Sequence, residues 1–149
     1  MKLIVALTTI VLVWGCSQPP EKDKNTKIFS AYIQKEFNME IPDSIHYYFL
    51  VPKLVCKGCV VDRLVELSEL INQGNKDKFT FITTNPDIFP TTLKSKINLL
   101  HDKKGTLDIL NLEIANLTIV ETSQNKINFI KPIYPDENHP LTNFIKIFN

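Results

Sequence analysis

The chain has 149 residues, 44% of them hydrophobic and 22% charged, with a formal net charge of +1. Those are ordinary globular proportions, and the near-neutral balance leaves no basic footprint for a nucleic-acid partner. Its lysines are interspersed with acidic residues, as on a solvated surface, and no internal repeat or low-complexity tract is visible.

The N-terminus reads as an export signal. Lys2 supplies a charged start, and residues 3–13 form an apolar run. As a helix that run would span about 16 Å, too short for a hydrocarbon core of about 30 Å. Residues 1–15 are therefore set aside from fold reasoning as a cleaved signal. The sequence Val13-Trp14-Gly15-Cys16 resembles the bacterial lipobox, with Trp14 departing from the usual residue at its position. The resemblance implies that Cys16 is lipidated and becomes the first residue of the mature protein. Several acyl chains on one residue make a firm anchor, where a single chain binds only marginally. Residues 17–24 (SQPPEKDK) are polar and proline-containing, so residues 16–24 read as lipidated cysteine plus tether, reaching about 26 Å if extended. Ser17 after the cysteine favours the outer over the inner membrane by the sorting rule of enteric bacteria. The expected location is thus the bacterial cell envelope, with the folded part in the periplasm.

Residues 25–149 are long enough for one domain with a single core. Within them residues 25–37 carry a helical stripe of Ile28, Phe29, Tyr32, Ile33 and Phe37, with Asn25 or Thr26 as N-cap and Asn38 as terminator. Residues 45–51 are continuously apolar and aromatic, the pattern of a strand buried on both faces, and Pro52 ends it. Val60, Val61, Leu64, Leu67, Leu70 and Ile71 then repeat at helical spacing up to a cap at Gly74. Residues 78–83 predict a second strand and residues 90–100 a helix opened by proline. Residues 101–105 predict a turn, and residues 106–114 carry mixed signals that assign no element. Residues 117–121 and 126–131 alternate like a hairpin. Leu141, Phe144, Ile145 and Phe148 give residues 140–148 the face of a short final helix.

Cysteine usage points to chemistry. Besides Cys16 there are two, Cys56 and Cys59, in the sequence Cys56-Lys57-Gly58-Cys59. An exported protein can keep a disulfide, but a bridge that closes so small a loop is a poor staple. The pair makes more sense as a reactive dithiol or a ligand pair. Its place, between a buried strand and a helix, puts one sulfur at a helix N-terminus and the other in the first turn.

At this point the chain resembles the thioredoxin-like superfamily, over roughly residues 45–149. The fold implied is α/β: a central mixed sheet flanked by helices, with a β-α-β-α-β-β-α core and an extra N-terminal helix. More narrowly, the chain is similar to small lipid-anchored bacterial envelope lipoproteins with a CxxC dithiol. The activity implied is that of an envelope thiol-disulfide oxidoreductase without a cofactor. Its partners would be exported proteins or redox-partner thiols, with the membrane met through the lipid. A helix N-terminus favours the thiolate, so Cys56 would attack and Cys59 would resolve the mixed disulfide, with Lys57 adding positive charge and Gly58 allowing close backbone approach. Two residues depart from the family pattern: Ala115-Asn116 stands where a cis-proline usually precedes the third core strand, and Val55 replaces a frequent aromatic residue.

Two other readings remain open on the residues. A redox-inactive thioredoxin-like binding lipoprotein would carry the cysteines as vestiges. A soft-metal module would bind Cu(I) through the same thiolates, since Cys-Lys-Gly-Cys-Val also resembles the loop of heavy-metal-associated domains. Leu54 stands where that family usually has Met, and the element order differs. A structural zinc site would want four ligands, and no second close pair exists. Elsewhere, His46 reads as a hydrogen-bonded core or edge residue, His101-Asp102 as turn chemistry, and His139 as a cap or surface residue. Asn116-Leu117-Thr118 matches a glycosylation pattern only by chance. No Ser-His-Asp set, phosphate loop or carboxylate pair stands out.

Overall fold

The computed structural model describes residues 21–53, 55–73 and 76–134. The expected signal and lipidation site at Cys16, Leu54, the Gly74 cap, His139 and the expected final helix lie outside the described residues.

Helix α1 (Glu21–Phe37) starts earlier than its apolar stripe and takes in residues 21–24. Thr26 is consequently not its cap. The Thr26 hydroxyl donates to the Lys22 carbonyl one turn back and accepts the backbone N–H of Ile127. Asn38 ends the helix as expected, in the left-handed region with φ 53°, its N–H bonding the Gln34 carbonyl.

Strand β1 (His46–Val51) is buried along its whole length, as its unbroken apolar run predicts. Helix α2 (Lys57–Gln73) follows and carries the chain back to β2 (Phe79–Thr83), which runs parallel to β1 with Tyr47 opposite Phe79 and Val51 opposite Thr83. A parallel pair needs a crossover of this kind. Strands β4 (Leu117–Ser123) and β5 (Lys126–Ile133) form the expected hairpin, and β4 pairs antiparallel with the other edge of β1. Their connection is a two-residue turn, Gln124-Asn125, with φ 49° and 59° at its two positions. That positive-φ pair matches the twist of a tight hairpin. Its tip is tied to the turn before β1 by Gln124 N–H to the Asp43 carbonyl (2.8 Å) and the Asn125 amide to the Asp43 carboxylate (2.7 Å).

The helix expected over residues 90–100 is a correction. Only one turn forms, α3 (Thr91–Lys94), and the chain then extends as β3 (Asn98–His101), parallel to β2 with Phe81 opposite Leu99. Leu93 and Ile97 fit helical spacing, but Leu99 and Leu100 fit either state. Without β3 the N–H and C=O groups of β2 would line an open edge, and pairing satisfies them. The finished sheet is mixed and five-stranded, in the order β3-β2-β1-β4-β5. Residues 106–114, unassigned from sequence, hold a 3-10 turn, Thr106–Ile109, and then an irregular segment.

Two apolar clusters cover the two faces of this sheet. On one face Val60, Leu64, Leu67 and Ile71 of α2 meet Tyr47, Phe49, Val51, Phe79 and Phe81. On the other Phe29, Tyr32 and Ile33 of α1 meet Tyr48, Leu50, Ile82, Leu107 and Val120. Alternation along β1 sends odd positions to α2 and even positions to α1. Phe49 is fully buried, with its ring stacked 4.7 Å from Phe81 and 6.2 Å from Phe79. Replacing it with alanine is expected to cost about 3–5 kcal/mol of stability, measured as the fall in unfolding free energy in urea.

Candidate redox site

β1 ends where its neighbours end. Val51 is the last residue paired with β2, and Pro52 has no N–H to continue a ladder. The chain leaves the sheet at Pro52 and Lys53, and Val55 packs half-buried against the α2-side core. Cys56 comes next and caps α2. Its carbonyl accepts the N–H of Val60 at 3.1 Å, the first bond of the helix. Lys57 is the first helical residue, and Cys59 lies in the first turn. Cys56 and Cys59 are joined by a disulfide across a Cα–Cα distance of 5.3 Å.

The two cysteines are not equivalent. Cys56 is exposed, whereas Cys59 is half-buried next to fully buried Val60. No acidic side chain stands in the first turn of α2, so none there opposes the positive end of the helix. Once the disulfide is reduced, this environment favours a thiolate at the cap. Gly58 does not owe its place to packing: a Cβ added there meets nothing within 4 Å. The space beside Gly58 is open.

Comparison of the chain with protein-family models, curated proteins and solved structures gives no match.

The structure sorts the other residues nominated by the sequence. His46 sits at the start of β1, about 16 Å along the strand from its dithiol end. It is buried, with Nε2 2.9 Å from the Thr80 hydroxyl. Asn98 donates to that same hydroxyl at 2.8 Å, leaving the hydroxyl proton free to point at a neutral imidazole. Burial holds the His46 pKa below its ordinary value. His101 ends β3 opposite Thr83, at the same end of the sheet as the dithiol but two strands from β1, about 10 Å sideways. In Asn116-Leu117-Thr118, Asn116 is half-buried, Leu117 and Thr118 are buried, and the Thr118 hydroxyl accepts the Ala115 N–H.

Ala115 and Asn116 directly precede β4, and the pairing of Leu50 with Thr118 brings them alongside Pro52 and Lys53. Between these stretches lies a groove of about 550 Å³ lined also by Leu110, Leu112, Ile114 and Tyr134. Among the described residues no group of three or more His, Cys, Asp and Glu side chains converges as a metal site.

Two residues near β1 and β3 carry more than their local sequence shows, Asp102 and Asp108. Asp102 is 2% exposed, far more than turn chemistry. Its carboxylate accepts N–H groups of Lys104, Gly105 and Leu107 at 3.1, 3.0 and 2.6 Å and the Tyr32 hydroxyl at 3.1 Å. Burial, and then the Asp102 charge, push the Tyr32 pKa far above its ordinary value. The missed residue is Asp108, whose carboxylate accepts the backbone N–H of Lys53 at 2.7 Å. No signal in residues 106–114 pointed to it, because the acceptor finds its donor 55 positions away.

Two predictions follow from these placements. The unfolded chain binds a proton at His46 near pH 6.5 while the folded chain resists it, so stability should fall as pH drops below about 6.5 and level off above. Urea unfolding across that range should show the fall, and His46→Gln should flatten it. Gly58→Ala should raise stability by about 0.5–1 kcal/mol, since it stiffens the unfolded chain and meets no neighbour. Thermal unfolding reads that gain.

Proposed function

We propose that this protein is a thiol-disulfide oxidoreductase of the bacterial cell envelope, acting through Cys56 and Cys59 on a thioredoxin-like domain. The observation that carries the reading is the disulfide at the β1–α2 junction, with an exposed cysteine at the helix cap and a half-buried one in the first turn. The sheet supports it. β2, β1, β4 and β5 run in that order, the first two parallel and the last two an antiparallel hairpin, an arrangement compatible with a thioredoxin-like core. β3 is then an addition at the edge.

The chemistry balances within two cysteines. In the reduced protein the Cys56 thiolate attacks one sulfur of a partner disulfide, a new S–S bond forms, and the partner's other sulfur leaves as a thiolate. Cys59, as thiolate, then attacks Cys56 Sγ and releases the partner's second sulfur. The partner gains two electrons and two protons, and Cys56–Cys59 becomes the disulfide. The reverse sequence oxidises a partner dithiol. Anchoring through a lipidated Cys16, with the domain facing the periplasm and the outer membrane as its surface, belongs to the same proposal. Exported proteins are the expected partners.

A second reading has its own observation. Ala115-Asn116, alongside Pro52 and Lys53, occupies the place where the resembled superfamily carries a proline, which fits a binding lipoprotein whose cysteines no longer turn over.

One experiment separates the two. The purified full chain is equilibrated in glutathione redox buffers, alkylated and digested with trypsin, which cuts after Lys57 and puts Cys56 and Cys59 on different peptides. The expected result is a reversible two-electron transition, with Cys56 alkylated at least about tenfold faster than Cys59 near neutral pH, and reduction of a protein disulfide that Cys56→Ser abolishes. Slow and equal alkylation of both cysteines, with no acceleration of protein-disulfide reduction, would sink the oxidoreductase reading.

A further inference from the structure

The segment between β1 and Cys56 must hold its course with little help from the sheet. Pro52 cannot donate, and the ladder with β2 stops at Val51. The next backbone N–H, that of Lys53, donates to the Asp108 carboxylate at 2.7 Å, a short charge-assisted bond three residues before Cys56.

Asp108 is itself firmly placed. It lies in the 3-10 turn Thr106–Ile109, which begins after Gly105 in the left-handed region at φ 71°. A Cβ at Gly105 would stand 3.7 Å from the Asp108 Oδ2. The amides entering this turn converge on buried Asp102, which also holds the Tyr32 hydroxyl of α1. Leu107, in the same turn, is buried in the α1-side core. Glu36 of α1 adds two further ties, accepting the Thr106 hydroxyl at 3.1 Å and pairing with Lys104 at 3.0 Å. A continuous series of packed and hydrogen-bonded groups therefore runs from α1 through Asp102 and Asp108 to the Lys53 backbone.

We propose that Asp108 is a positioning residue for the dithiol: by holding the Lys53 backbone it sets the path of the chain into Cys56 and keeps that sulfur at the N-terminus of α2. This rests on the redox reading of Cys56 and Cys59. The helix N-terminus stabilises an anion only within its first turn, so a cap sulfur that drifts loses the benefit. Asp108 touches no reacting atom and acts through Lys53. Its own side chain is exposed, so its replacement leaves both apolar clusters intact.

The test compares reduced full-length wild type, Asp108→Ala and Asp108→Asn. Iodoacetamide alkylation of Cys56 and Cys59 is followed across the thiol titration range, the tryptic peptides reporting each cysteine separately. Asp108→Ala should slow Cys56 alkylation near neutral pH about fivefold and move its rate–pH profile upward, with Cys59 unchanged. Asp108→Asn keeps a carbonyl oxygen to accept the Lys53 N–H and should stay within about twofold of wild type. Superimposable profiles for wild type and Asp108→Ala overturn the proposal. Equal shifts in Asp108→Ala and Asp108→Asn overturn it too, because charge rather than position would then be the cause. Thermal unfolding checks each variant, and if Asp108→Ala does not fold, Asp108→Ser, whose hydroxyl falls short of the amide, takes its place. Protein-disulfide reduction by wild type is scored separately. Its absence defeats the redox reading, while the alkylation comparison still decides the positioning role.

Discussion

Complete burial of β1 is the constraint from which the rest of the structure follows. A strand with both faces covered needs an apolar side chain at nearly every position, a helix on each side, and a hydrogen-bonded neighbour on each edge. His46–Val51 has all of these: α1 and α2 on its faces, β2 and β4 on its edges. Such a strand can be left only at its end. There the chain leaves the sheet, and α2 begins six residues later at Lys57. The dithiol follows that exit, next to a buried core, with Cys56 exposed.

The same burial explains where polar residues had to go. His46 enters the core with a partner on β2, and Thr80 serves both it and Asn98 of β3. Asp102 is more extreme: a carboxylate at the end of β3, removed from water, is tolerable because four donors surround it. Its partners come from α1 and from the turn after β3, so satisfying one buried charge also ties that helix to the end of the sheet where β3 stops. The Asp108 link to Lys53 extends this order to the approach of Cys56. In that sense the polar groups of the α1 side and the sulfur chemistry of the α2 side meet at the strand they share.

Much of this was legible in the residues. The unbroken run at 45–51, Pro52 as terminator, the cysteine spacing before a helical stripe and the alternation at 117–131 each rest on local sequence, and each corresponds to an observed element. Asn38 as a helix stop is a local conformational preference and also holds. Less legible was the stretch after β2. Residues 90–100 show apolar spacing that a helix and a strand both satisfy, and the unpaired edge of β2 settles it in favour of β3. Thr26 likewise looks like a cap by type, yet α1 begins five residues before it and its hydroxyl accepts the N–H of Ile127 on β5.

What the sequence alone determined is the strand-to-helix junction and the identity of its sulfurs, because periodicity, proline and CxxC spacing act over a few residues. What only the tertiary structure decided is everything that depends on partners far apart in the chain. β3 exists because β2 has an edge to fill; Asp102 is buried because donors from two segments reach it. Asp108 matters because its carboxylate meets an amide 55 residues upstream. Hydrogen bonds of that span leave no periodic trace, since each is set by the packing of the core between its ends.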